Sequence, residues 1–185
     1  DVYKRQYNED GTLKAVIPQQ GAPEVITKRI VENLDEAYFP TEMIVPSTEI
    51  VHDRANLEVF RGCIRGCRFC QAGFYYRPIR EKSADRVAYL AKSAIDATGY
   101  EELSLCSLST GDYSYLKELI FDLKQITDER KVNLSLPSLR LNSFEGEIAQ
   151  NSRRSSLTFA PEAGTQRLRN VINKNISDDD INNIG

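Results

Sequence analysis

Cysteine is scarce in this chain. Four thiols in 185 residues are too few to staple a small disulfide scaffold, and three of them fall within eight positions. That clustering points to metal binding in a reducing compartment, and the expected location is the cytoplasm. Long apolar runs are missing as well. None approaches the ~18 residues of a membrane helix. The opening Asp1-Val2-Tyr3-Lys4 is polar and charged where a secretory signal would be apolar, so no membrane partner is expected. Positive charge is not in excess. The formal net charge of −3 argues against a protein-wide field for nucleic acid and leaves a local basic patch open. There is no initiator Met, Met43 being the sole methionine, and the chain stops at Ile184-Gly185 just as a new helix begins. It reads as a piece of a longer protein. The remainder is ordinary: 41% hydrophobic and 28% charged residues suit a soluble globular chain of one domain with at most a small appendage.

The chain is organised around Cys63-Ile64-Arg65-Gly66-Cys67-Arg68-Phe69-Cys70, spaced C-x3-C-x2-C with Phe69 directly before the third thiol. One short loop can wrap three soft ligands around one metal centre, and thiolates select zinc, copper(I) or iron–sulfur clusters. A structural zinc site needs a closed set of four, commonly as two close pairs. Nothing nearby completes such a set. His52, the only histidine, lies upstream of the preceding strand; Cys106 is remote, in a hydrophobic run, and reads as a buried apolar filler. Three cysteines on a cluster of four irons leave one iron open to a substrate or cofactor. A zinc knuckle, a disulfide pair with a spare thiol and a simple ferredoxin-like cluster stay open beside that reading.

Residues 1 to about 50 carry little helical periodicity. Asp10-Gly11 is a hairpin turn signal. The β-branched runs Leu13 to Ile17 and Val25 to Val31 predict a small hairpin or meander, with helix as the alternative for the second run. Tyr38-Phe39-Pro40-Thr41 and Val45-Pro46-Ser47 predict an extended stretch, because proline holds its preceding residue extended. From Leu57 onward strands alternate with helices. Leu57 to Phe60 is the first strand. Ser83 caps a helix with Val87, Leu90, Ala91, Ala94 and Ile95 on one face, closed by Gly99. Glu102 to Leu108 is the second strand, and Leu116, Leu119, Ile120, Leu123 and Ile126 mark the second helix. Val132 to Leu136 is the third strand, Phe144 to Ala149 a short helix, and Ser156 to Phe159 the fourth strand. A helix from Thr165 to about Lys174 turns Leu168, Val171 and Ile172 inward, and Ser177-Asp178-Asp179-Asp180 starts another. This alternation predicts parallel βαβ units, an α/β fold. The expected division is 1–50, a connector with a β-hairpin, and 51–185, a catalytic core. The first segment could instead cover the base of the sheet.

The cysteine spacing, the aromatic residue before the last thiol and the strand-to-helix context resemble the radical S-adenosylmethionine (SAM) superfamily. The longer string Val59-Phe60-Arg61-Gly62-Cys63, then Cys70-Gln71-Ala72-Gly73 and Tyr76-Arg77-Pro78, is similar to cobalamin-binding radical SAM proteins, themselves related to the methylthiotransferases. The resemblance spans roughly residues 24 to 185. It implies a partial (βα) barrel of parallel strands, truncated after about four of the family's six βα units, with an N-terminal extended or β segment. It implies that Cys63, Cys67 and Cys70 hold a [4Fe–4S] cluster and that SAM chelates the open iron. Reductive cleavage to a 5′-deoxyadenosyl radical would draw its electron from a donor such as flavodoxin or ferredoxin. It also implies a cobalamin-binding domain upstream; the Asp-x-His-x-x-Gly signature of such domains is not matched here, since His52 stands in Val-His-Asp-Arg. A methylthiotransferase-like enzyme acting on RNA or protein, and a non-enzymatic zinc or iron–sulfur module, are the competing classes.

Ligands of parallel βα folds meet the C-terminal strand ends, so the thiols and polar residues past each strand are expected to gather at one mouth. Thr110-Gly111-Asp112 takes the place of the family's Gly-Gly-Glu motif, which implies contact with the SAM amino group; Asp112 could equally cap a helix. Glu162-Ala163-Gly164-Thr165 resembles Glu-x-Gly-Ser/Thr, which implies that Glu162 holds SAM hydroxyls or the amino group while Thr165 caps a helix. Arg140 could pair with the SAM carboxylate or lie in a surface salt bridge. Phe69 is expected to pack beside adenine, or simply within its loop. Arg61, Arg65 and Arg68 surround the thiolates and could offset their charge and raise the cluster potential, or only be solvated.

Overall fold

The computed structural model describes residues 2–48, 50–137 and 159–183. The chain forms two compact units, Asp1–Val31 and Glu32–Gly185. The boundary between these units lies at Val31/Glu32. Residues 32–48 carry no regular element, yet they belong to the second unit through side chains. Leu34 is buried, Phe39 and Met43 pack on the hydrophobic core, and Asp35 Oδ1 accepts the backbone N–H of Ser83 at 2.8 Å.

The first unit is a hairpin. Strands β1 (Tyr3–Tyr7) and β2 (Leu13–Pro18) run antiparallel from Tyr3 opposite Pro18 to Gln6 opposite Ala15. Asp10 builds the turn: its carboxylate accepts Thr12 N at 2.9 Å and Thr12 Oγ1 at 2.6 Å, while Gly11 takes the left-handed backbone at φ +82°. The strand or helix expected over Val25–Val31 does not form. Val25 and Ile26 lie largely exposed, and a β-branched run without a cross-strand partner has nothing to pair with.

The second unit is α/β. Strands β3 (Ala55–Glu58), β6 (Glu102–Cys106) and β7 (Asn133–Ser135) form a parallel sheet in the order β3-β6-β7. Short strands β4 (Phe60–Arg61) and β5 (Arg80–Glu81) pair antiparallel. Helix α1 (Gln71–Tyr75) lies between them in sequence, and α2 (Ala84–Thr98) and α3 (Leu116–Arg130) make the two crossovers. The signals that predicted α2 act as expected. Ser83 Oγ accepts Arg86 N at 3.2 Å, and Gly99 stops the helix at φ +69°. The predicted apolar stripes of α2 and α3 face the sheet residues Ala55, Leu57, Leu103 and Leu105 in one core. Burial of each Leu, Ile or Val there stabilises by about 1.5–3 kcal/mol.

Helices α4 (Gln166–Val171) and α5 (Asp178–Asn182) follow. Thr165 caps α4 through Leu168 N, and Ser177 with Asp180 forms a capping box on α5. The face of α4 departs from expectation. Leu168 and Val171 are exposed, whereas Arg169 is 1% exposed. Its guanidinium is bonded to Ile176 O at 2.9 Å, Ala163 O at 3.0 Å, Gln166 and Asp178. The strand predicted over Ser156 to Phe159 lies outside the described residues except Phe159, which is in no regular element, and the helix predicted over Phe144 to Ala149 lies wholly outside them.

Candidate metal centre

Strand β3 ends at Glu58, and the pairing of Phe60 with Glu81 and of Arg61 with Arg80 closes the intervening segment into one excursion. Gly62 starts that excursion at φ +97°. A Cβ there would sit 3.0 Å from Tyr76 O and 3.1 Å from Ile79 Cα, so only glycine fits. Gly66 turns the loop again at φ +66° between the first two thiols. Cys70 N donates to Cys67 O at 3.0 Å, and Cys70 stands at the N-cap of α1. Cys67 is buried, Cys63 and Cys70 are half-buried, and all three are free thiols. A disulfide pair with a spare thiol is not what forms. Among the described residues no three His, Cys, Asp or Glu side chains gather tightly enough to hold one metal ion. The three thiols share one loop. Thiolates are the donors that iron–sulfur clusters take, so the chemistry of these three side chains fits such a cluster.

Residues 61–80 contain five arginines and no carboxylate. Neighbouring elements supply the anions. Glu58 binds Arg61 through two contacts of 2.7 and 2.9 Å. Buried Lys82 reaches the same residue, with Nζ 2.8 Å from Glu58 O and 3.3 Å from Oε2. Burial pushes the Glu58 carboxyl up, but Arg61 and Lys82 outweigh it, and its pKa lies below the ordinary value. Burial also lowers the Lys82 ammonium. Tyr113 OH donates to Lys82 O at 2.7 Å, and burial holds this phenol well above its usual range.

Two strand-end loops meet through Arg65. Its Nε donates to Asp112 Oδ2 at 2.7 Å, and its other nitrogen pairs with Oδ1. The hydrogen bond from Arg65 to Asp112 raises the guanidinium pKa further against its burial, with Cys63 and Cys67 adding to the effect. Ser109 Oγ also donates to Asp112, at 2.8 Å. Thr110, Gly111 and Asp112 form a 3-10 turn in which Thr110 is buried and bonded to Ser107 Oγ at 2.9 Å. Asp112 is not the cap of α3; Tyr115 holds that position, with no side-chain bond.

The other expected site residues divide. Glu162, at φ +67°, pairs with Lys174 Nζ at 3.1 Å, and the same ammonium lies 6.0 Å from the centre of the Phe69 ring. Phe69 is itself exposed. Glu162 is thereby linked to the cysteine loop through Lys174. Arg140 lies outside the described residues. Cys106 is exposed, contrary to expectation. It is the last residue of β6, past the covered Leu103-Ser104-Leu105 run, so its place is the open strand end. Sequence reading did not single out Lys82, Asn173 or Lys174. Asn173 carried the one available signal, an asparagine just past a helix end, where a left-handed cap is common.

The family model of the radical SAM superfamily matches residues 57–184. The chain belongs to the radical SAM superfamily. An uncharacterized protein of Methanocaldococcus jannaschii is 31% identical over 98% of the chain and 39% of its own length. The threonylcarbamoyladenosine tRNA methylthiotransferase of Bacillus subtilis is 28% identical over 60% of the chain and 21% of its own length. This radical SAM chain thus spans about two fifths and one fifth of the curated relatives it matches. No described helix is long and apolar enough to cross a membrane.

Proposed function

We propose that this radical SAM chain contains the cofactor-binding part of an enzyme that cleaves SAM reductively. Cys63, Cys67 and Cys70 would hold a [4Fe–4S] cluster, and SAM would occupy the fourth iron. The observation that carries the reading is the loop itself: three free thiols at the C-terminal end of a parallel strand, in a family-matched region. When bound, the cluster supplies one-electron reduction of the SAM sulfonium and so a 5′-deoxyadenosyl radical, the electron coming from a flavodoxin- or ferredoxin-like donor. The chain's own residues orient and shelter the reactants. Thr110, Gly111 and Glu162 are proposed to face SAM. Asp112 is proposed to act through Arg65, which it holds against the thiol loop. Phe69 offers an exposed ring for the adenine, and Arg140 is proposed to meet the carboxylate. The three parallel strands are read as the start of a (βα) barrel. Cobalamin is not carried into this proposal.

The likeness to a tRNA methylthiotransferase favours, as a second reading, an RNA substrate; transfer of methylthio groups to tRNA would be read by mass spectrometry of the nucleosides. The principal test is anaerobic reconstitution. About four irons per chain are expected in the wild type, none in C63A, C67A or C70A, and wild-type loading in C106A. Stoichiometric zinc without iron would sink the proposal.

A further inference from the structure

The backbone carbonyls of Arg65 and Gly66 lie between the first two thiols and share one donor. Asn173 Nδ2 is 3.2 Å from Arg65 O and 2.9 Å from Gly66 O. One residue earlier, Ile172 O accepts the backbone N–H of Arg68 at 2.9 Å. One residue earlier still, Val171 O accepts the Arg68 guanidinium. Three consecutive residues therefore grip the thiol loop on both sides of Cys67, from more than 100 positions away in sequence. Asn173 itself stands at φ +56°, a left-handed conformation that asparagine adopts at less cost than most side chains. Gly66 faces it, also left-handed, with room for a Cβ 3.5 Å from Asn173 Nδ2.

We propose that Asn173 is a positioning residue for the thiol loop. Its amide holds two adjacent carbonyl dipoles at fixed positions and so sets the course of the chain from Cys63 to Cys67 before any cluster arrives. A loop already ordered in the apoprotein loses less conformational entropy on binding. A carbonyl released from the amide is free to turn its negative end toward the thiolates. The proposal rests on the reading of Cys63, Cys67 and Cys70 as cluster ligands.

Two variants separate the side chain from the backbone. N173G keeps access to the left-handed conformation and removes the amide. N173D keeps the shape and sets a carboxylate against two carbonyl oxygens. In the apoprotein, amide hydrogen exchange at Arg68 should be faster in both variants, a readout that needs no cluster. After reconstitution, loss of iron to a chelator should be about fivefold to thirtyfold faster in N173G, the factor that one or two net hydrogen bonds represent, and faster again in N173D. The paramagnetic resonance signal of the reduced cluster should broaden in both. Should N173D fail to fold, N173G carries the test. Lowered thermal stability with wild-type Arg68 exchange, iron loss and resonance signal would reduce Asn173 to a helix-end residue and overturn the proposal. Failure of the wild type to take up iron, with C67A indistinguishable from it, would instead overturn the cluster reading beneath it.

Discussion

Glu58 stands where β3 leaves the sheet for the thiol loop, and it carries Arg61 and Lys82 on one carboxylate. Arg61 and Lys82 lower its pKa more than burial raises it, so the folded state gives up this proton more readily than the unfolded state. The resulting stability is fully present above the ordinary glutamate value of 4.5 and is lost as pH falls toward the depressed folded value. Lys82 stays protonated in both states over that window and adds nothing to the slope. Urea unfolding of E58Q should therefore show a shallower loss of stability on the acid side than the wild type. An unchanged acid slope would mean that the Glu58 contacts do not outlast solvent screening. Cys106 teaches a different point at this scale. A cysteine between leucines reads as core, but the strand ended there, and hydropathy does not say where a strand stops.

Among elements, α2 was legible because its caps and its apolar stripe agree, and α3 by its apolar stripe, each over fifteen residues. Helix α4 has six residues, less than two turns, and only its N-cap Thr165 was readable. Which side faced inward was decided by Arg169, whose partners Ala163 O and Ile176 O belong to the flanking loops. Removing one side of a buried charged network costs about 3 kcal/mol. R169A should lower global stability by roughly that amount if α4 unfolds with the core. If α4 opens by itself, amide exchange should rise from Thr165 to Ile176 while the main transition stays in place. Wild-type behaviour on both measures would show that the Arg169 network contributes no stability. The same element reaches the thiol loop through Ile172 and Asn173, so exchange at Arg68 should rise together with α4.

At the scale of the whole molecule the two units predict separable behaviour. Among the described residues, the core of the second unit runs from Phe39 to Leu136 in sequence. A chain beginning at Glu32 should keep its thermal midpoint within about 2 °C of the 185-residue chain, a shift worth only a few tenths of a kcal/mol. A drop several times larger would show that the hairpin supports the core. A two-stranded hairpin alone is marginal in water, so residues 1–31 should lose protection well before the sheet does.

The sequence by itself determined the elements whose signals are local. These are the Asp10-Gly11 turn, the Ser83 and Gly99 ends of α2, the parallel strand–helix alternation, and three thiols on one strand-end loop. Each depends on residues within a few positions of one another, where spacing and capping chemistry act directly. Only the tertiary structure decided that Asp112 meets Arg65, that Glu162 reaches Phe69 through Lys174, and that Asn173 holds Arg65 and Gly66. The pairs Arg65–Asp112, Glu162–Lys174 and Asn173–Arg65 are separated by 47, 12 and 108 positions. A polar side chain has no periodic signature naming its distant partner; the backbone must first bring the donor within hydrogen-bond reach of the acceptor.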